Sequence, residues 1–222
     1  MLKLTLIAVA IALSTGAAHA DSTLLAEGFD DVAGLSGWVI INQSSAGGTI
    51  SEGWFQGDSV FDGQSGGSGS YIGSSFNVAR AKPGLISSWL LTPAFSTAID
   101  GTVSFWVKAD IEPTGGFADT FRFGLNNGSS DLGSFALSPL VTALGDWTRY
   151  SIDFSAAGAS SQARLAIQYS GNFATSNYIG VDSVLVTAVP EPSTYATTGI
   201  GLLGLALVRR RRAVTALPVP TA

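Results

Sequence analysis

Polar and apolar side chains take turns along several stretches of this chain. Val103, Phe105 and Val107 are separated by Ser104 and Trp106, and Phe121, Phe123 and Leu125 by Arg122 and Gly124. Tyr150, Ile152 and Phe154 alternate with Ser151 and Asp153, and Leu165, Ile167 and Tyr169 with Ala166 and Gln168. Successive side chains of extended backbone point to opposite faces, so a period of two predicts half-buried strands. Less regular apolar runs predict further strands at 24–29, 38–42, 71–77, 87–91 and 178–186. No segment between residues 21 and 189 carries an apolar stripe at the helical period with caps at its ends. Nine or so short strands, broken by clusters of Gly, Ser, Asp and Asn such as 62–70 and 126–130, predict an all-β sandwich. A jelly roll is the commonest arrangement for that number. The Gly-Ser stretch at 62–70 reads as a mobile surface loop, because too few strands lie on either side of it to fold alone.

Two apolar runs break this pattern, one at each end. Residues 1–20 carry one early cation, Lys3, an apolar run over 4–13, and the small-residue step Ala18-His19-Ala20. This is the layout of a secretory signal peptide, with cleavage expected after Ala20. The second run, 196–208, follows Val189-Pro190-Glu191-Pro192-Ser193-Thr194 and ends on Arg209, Arg210, Arg211 and Arg212. As a helix it would extend roughly 20 Å against a hydrocarbon core of ~30 Å, a short span that Tyr195 and the arginines would have to extend. Cations directly after it place that end in the cytoplasm and leave the preceding domain outside the inner membrane, which agrees with the signal peptide.

Composition narrows the chemistry. The 222 residues include no Cys, and the one His is His19, inside the segment expected to be removed. A Ser-His-Asp triad, a His-ligated zinc site, a cysteine nucleophile and stabilising disulfides are therefore excluded from the mature domain. Residues 21–188, of single-domain length, hold fifteen acidic and six basic side chains, a net charge of −9. Such a domain does not seek nucleic acid or anionic lipid, although it attracts divalent cations. A glycosidase-type carboxylate pair is the one enzymatic option left. Glu52, Asp58, Glu112 and Asp119 are available for it, but they are scattered, and the reading is of a non-enzyme.

Two residues stand out for binding. Uninterrupted alternation puts Asp182 on the same strand face as Tyr178, Val184 and Val186, where a carboxylate needs a partner: a paired group or metal, or else backbone hydrogen-bond donors or a turn that it caps, with Glu27 simply solvated. Alternation also turns Trp106 away from Phe105, and so away from the core, where its indole either covers the outer sheet face, packs under a loop, or is available to stack on a sugar ring.

The string Val189-Pro190-Glu191-Pro192, the Gly-bearing apolar stretch with Gly199, Gly201 and Gly204, and the cluster from Arg209 to Arg212 resemble the PEP-CTERM sorting signal over 189–212. That resemblance implies recognition by an exosortase, a membrane-embedded processing enzyme, with removal of the tail and release of the domain or its passage to the cell surface. It also implies a Gram-negative host that makes exopolysaccharide. Residues 213–222, beyond the arginines, depart from the usual pattern.

Within the domain, Glu27-Gly28-Phe29-Asp30 with Gly37-Trp38, Ser88-Trp89-Leu90-Leu91-Thr92-Pro93-Ala94, Val103-Ser104-Phe105-Trp106 and Tyr178-Ile179-Gly180-Val181-Asp182-Ser183-Val184 resemble the choice-of-anchor J domain. This family is similar to cleaved-adhesin and MAM-type jelly rolls. The resemblance implies an extracellular binding or adhesive module without catalytic activity, and core positions for Trp38 and Trp89. It further implies a structural Ca²⁺ held by an acid near the first strand and one near the last, here Glu27 and Asp182 with Asp30. The expected protein is an exported, non-enzymatic surface or matrix component, associated with exopolysaccharide or biofilm and processed by an exosortase. A lectin-like carbohydrate-binding module and a secreted glycoside hydrolase are the alternatives.

Overall fold

A computed structural model describes residues 22–111 and 115–189. The first half of the fold contains β1 (Ser22–Glu27), β2 (Val39–Asn42), β3 (Phe55–Gln56), β4 (Ile72–Ser75), β5 (Leu85–Leu91), β6 (Phe95–Ser96) and β7 (Gly101–Ala109). The second half contains β8 (Thr120–Leu125), β9 (Ala136–Leu137), β10 (Val141–Thr142), β11 (Thr148–Phe154), β12 (Gln162–Ala163), β13 (Leu165–Asn172) and β14 (Tyr178–Ala188). The nine strands expected from the sequence are present. The five others, β3, β6, β9, β10 and β12, are two residues each, too short to show a period.

All strand pairs are antiparallel, and the two main sheets form a sandwich. One sheet runs β11-β7-β14-β4-β3, with β1 pairing on β14 as well; the other runs β10-β8-β13-β5-β2, with β9 on β8. A ribbon of β12 and β6 stands apart. Between the sheets, Phe105, Val107 and Val186 pack in one cluster with Leu90, Phe121 and Ile167. Aromatic rings fill the thickest part, with Phe105 meeting Phe123 edge-on at 5.2 Å and Phe121 meeting Tyr150 at 5.1 Å. Each side chain of this size contributes about 1.5–3 kcal/mol when fully buried. Trp89, read as core, lies with Leu91 and Ala166 in a second cluster, covered by Phe135 and Leu132. Trp38 is half-buried, its ring 5.0 Å from that of Phe29.

The alternation of β14 breaks where the sequence gives no sign of it. Asp182 pairs with Trp106 of β7, and the next ladder pair is Leu185 with Ser104, so three steps on β14 face two on β7. The extra residue, Ser183, sits at φ 49°, which makes this a β-bulge. One inserted residue exchanges the two faces for everything beyond it. Val184 and Val186 therefore join the core, while Asp182 turns with Tyr178 and Trp106 to the opposite face. The expectation that Asp182 shares a face with Val184 and Val186 is corrected accordingly.

The stretch at 62–70 is also not the free loop expected. Asp62 bridges to Ser68, the Gly63 N–H donates to the Gly67 carbonyl at 3.0 Å, and the Trp147 indole N–H reaches the Asp62 carbonyl at 3.0 Å. Among the described residues no helix is long and apolar enough to cross a membrane. The expected signal peptide and C-terminal apolar run lie outside the described residues.

Candidate functional site

The register of β11, β7 and β14 lines up Arg149, Trp106 and Asp182 across the outer face of the first sheet. The adjacent row is Ser151, Ser104, Leu185 and, on β1, Ala26. One end of this face is filled by aromatic rings. Phe61 stacks on Tyr71 with ring centres 4.7 Å apart, Trp147 meets Phe61 edge-on at 5.5 Å, and Lys108 lies over the Phe61 ring at 4.9 Å. The strand beneath has to be bare: a Cβ on Gly180 would stand 2.8 Å from Phe61 and 2.9 Å from Tyr71. The hydroxyls of Tyr71 and Tyr178 meet at 3.3 Å in this cluster. Burial pushes the Tyr178 phenol above its ordinary pKa, and the Tyr71 hydroxyl and nearby Asp58 add to that shift.

Asp182 lies next along the face and has no exposed surface. The 62–70 segment closes over it, with the Gln64 and Ser65 N–H groups donating to Oδ2 at 2.7 and 3.1 Å. The Ser183 N–H, carried by the bulge, donates to Oδ1 at 2.5 Å. Burial raises the carboxyl pKa, and these amide donors work against that rise without cancelling it.

Beyond this lid the face is open. Half-buried Trp106 and exposed Arg149 line a depression of about 420 Å³, together with Glu27, Ser65, Ser104 and Ser183, whose hydroxyl donates to Gln64 Oε1 at 2.8 Å. Among the described residues Arg149 makes no ion pair or hydrogen bond, so its guanidinium faces solvent beside the indole. Glu27, which lines the depression, is half-buried and accepts the Phe29 N–H at 2.8 Å through Oε1, and its Oε2 has no hydrogen-bond partner among the described residues. Phe29 is fully buried at φ 55°, so this carboxylate holds a strained turn at the end of β1. An apolar ring edged by one cation, one carboxylate and several hydroxyls suits stacking and hydrogen bonding.

The residues expected to act together have different immediate partners. Trp106 is where alternation placed it. Glu27 and Asp182 sit on paired strands, Glu27 opposite Val184; Glu27 gives one oxygen to a backbone amide, and Asp182 gives both of its oxygens to three. Asp30 is exposed, its Oδ1 3.6 Å from where a Cβ on Gly66 would stand. Among the described residues no group of three acidic or His side chains gathers at metal-ligand spacing. Three of the roughly four acceptor positions of Asp182 face N–H groups, whose positive ends are the wrong sign for a cation. Calcium does not fit this donor set as arranged.

Asp119, weighed above as a catalytic acid, is buried and accepts the Tyr169 hydroxyl at 2.5 Å and the Asn177 N–H at 2.9 Å. It ties β8 to β13 and β14, and burial raises its pKa. The residues that sequence reasoning missed are Arg149 and the three serines. Each is an ordinary polar position in its own strand or loop, and only the cross-strand register joins them to Trp106.

Residues 188–212 match the PEP-CTERM protein-sorting motif. The chain therefore carries the signal of an exported protein that an exosortase processes from a membrane-anchored intermediate. No curated protein matches the chain in sequence. The solved structures that share its fold include the K1 and K3 cleaved adhesin domains of Lys-gingipain from Porphyromonas gingivalis W83. The K1 domain is 19% identical with a TM-score of 0.58, covering 75% of this chain and 99% of its own. The K3 domain is 19% identical with a TM-score of 0.56, covering 76% of this chain and 99% of its own.

Proposed function

We propose that this chain is a non-enzymatic, exported module that holds extracellular polysaccharide at the cell surface or in the surrounding matrix. It does so through the Trp106 depression, once its tail has been removed. The observation that carries this reading is a half-exposed indole on an open sheet face, flanked by Arg149, Glu27 and Ser104. Sugar rings present an apolar C–H face and a rim of hydroxyls, which an indole and neighbouring hydroxyl, carboxylate and guanidinium groups match directly. Catalysis has little to work with here. No His or Cys is present after residue 19, and the buried acids Asp119 and Asp182 are occupied by tyrosine and amide donors.

Native electrophoresis through a gel containing the producing bacterium's own exopolysaccharide tests the proposal. The exported protein is retarded, and Trp106→Ala loses at least about tenfold in affinity, on the order of 1.4 kcal/mol. An unretarded wild-type protein, or a Trp106→Ala variant retarded as strongly as wild type, overturns it. Release of reducing sugar from the same polymer would favour the hydrolase reading instead.

A further inference from the structure

We infer that a second depression, at the end of the sandwich where β7 begins and β11 ends, binds a neutral saccharide independently of the Trp106 face. This space of about 520 Å³ is lined by Thr97, Asn126, Asn127, Phe154, Ser155 and Gln162 among others, and no ionisable side chain takes part. In a domain with a net charge of −9, this wall is built only of carboxamides, hydroxyls and apolar groups, with two asparagines, a glutamine and a phenylalanine among them. Carboxamides offer a donor and an acceptor on one rigid plane, which is what vicinal sugar hydroxyls require, and they do so without attracting counter-ions.

The wall divides into a fixed frame and an unspent rim. In the frame, the Asn126 side chain donates to the Ser129 carbonyl and to Ser134 Oγ, both at 2.8 Å, and accepts the Gly128 N–H at 3.0 Å. Thr97 exchanges backbone hydrogen bonds with Ser161 at 3.0 Å and Ala157 at 2.9 Å. Gln162 is set by its pairing with Ser96 in the β6-β12 ribbon. The Phe154 ring is held against Phe95 at 5.6 Å and gives the space an apolar side. On the rim, the side chains of Asn127, Ser155, Ser160 and Gln162 are exposed, and among the described residues none of them makes a hydrogen bond. Polar groups presented on a braced frame lose little entropy when a ligand engages them.

The site is also separate from the first. Phe154 pairs with Gly101, five residues along β7 from Trp106, which is roughly 17 Å of strand. Two sites that far apart on one rigid sandwich let a single domain hold two polysaccharide strands and cross-link a matrix.

The test is nuclear magnetic resonance on the ¹⁵N-labelled exported protein, titrated separately with cellohexaose, mannohexaose and maltohexaose to millimolar concentration. The side-chain amide signals of Asn127 and Gln162 report this site, and the Trp106 indole N–H reports the other. With at least one hexaose, the Asn127 and Gln162 signals shift saturably. The double substitution Asn127→Ala with Gln162→Ala removes saturable shifts of backbone amides around Phe154 and leaves any response at Trp106 unchanged, whereas Trp106→Ala leaves this end's response intact. If neither carboxamide signal moves with any of the three sugars, the second site is overturned, even where Trp106 responds. A shift here with a silent Trp106 supports this site and counts against the first.

Discussion

Asp182 lies beneath Gln64 and Ser65 with three amide N–H groups aimed at it in part-buried hydrogen bonds, and removing the carboxylate would take the acceptor from all three. An orphaned donor costs about 1–3 kcal/mol when buried and less where water reaches it, so Asp182→Ala is expected to lose about 1–3 kcal/mol in urea unfolding. Asp182 and Asp119 have a second consequence, because burial raises the pKa of both. In the folded state each binds its proton more tightly than in the unfolded chain, whose carboxyls titrate near ~3.9. The ionised form is thus the less stable partner of the fold. These two groups make unfolding free energy rise as pH falls from 7 toward about 4, and fall again as pH climbs through their raised values. Thermal unfolding across that range should show a higher melting temperature on the acid side. Asp119→Asn should flatten the slope, and should also lose stability at pH 7, since its amide would face the Tyr178 N–H that Asp119 now accepts at 3.2 Å.

At the level of the elements, β14 carries most of the design. Its first half places Gly180 under the Phe61 and Tyr71 rings, and its bulge returns Val184 and Val186 to the core while sending Asp182 outward. Gly180→Ala forces a methyl into space already held by two packed rings, so a loss of about 1–3 kcal/mol is expected by chemical denaturation. The Tyr71 and Trp147 aromatic envelope should report the disturbance by near-ultraviolet circular dichroism. Strand positions were legible beforehand because each period-two run is written in consecutive residues. The bulge was not, since Ser183 looks like any outward strand residue and acquires its φ of 49° only from pairing on both sides. The 62–70 segment was misjudged for a similar reason. Its Gly and Ser content resembles a linker, and its role as a lid comes from Asp182, more than a hundred residues later in the chain.

For the molecule as a whole, the last strand of the sandwich is an inner one. β14 pairs with β7 on one side and with β1 and β4 on the other, and Ser22 sits opposite Ala188. The matched sorting motif begins at residue 188, and the last described tie of the domain is the Val189 N–H to the Asp100 carbonyl at 2.8 Å. Every strand of the described sheets ends at or before Ala188. The intact mass of wild-type protein from the extracellular fraction is expected to lack residues 1–20 and the arginine cluster. Glu191→Ala, in the Pro-Glu-Pro string, is expected to retain the cluster and remain with the inner membrane. A processed protein that melts well below its tailed precursor would contradict the view of an independent sandwich.

The sequence by itself determined the all-β class, the nine principal strands, the outward aim of Trp106 and the sorting motif that follows the last strand. All of these rest on short-range order: alternation, a run of apolar residues, a motif of a few letters. Only the tertiary structure decided which face Asp182 takes, what covers it, which backbone amides Glu27 and Asp182 accept, and that Arg149 and three serines stand beside Trp106. Those outcomes depend on register between strands far apart in the chain, and one residue added to one strand is enough to exchange inside for outside.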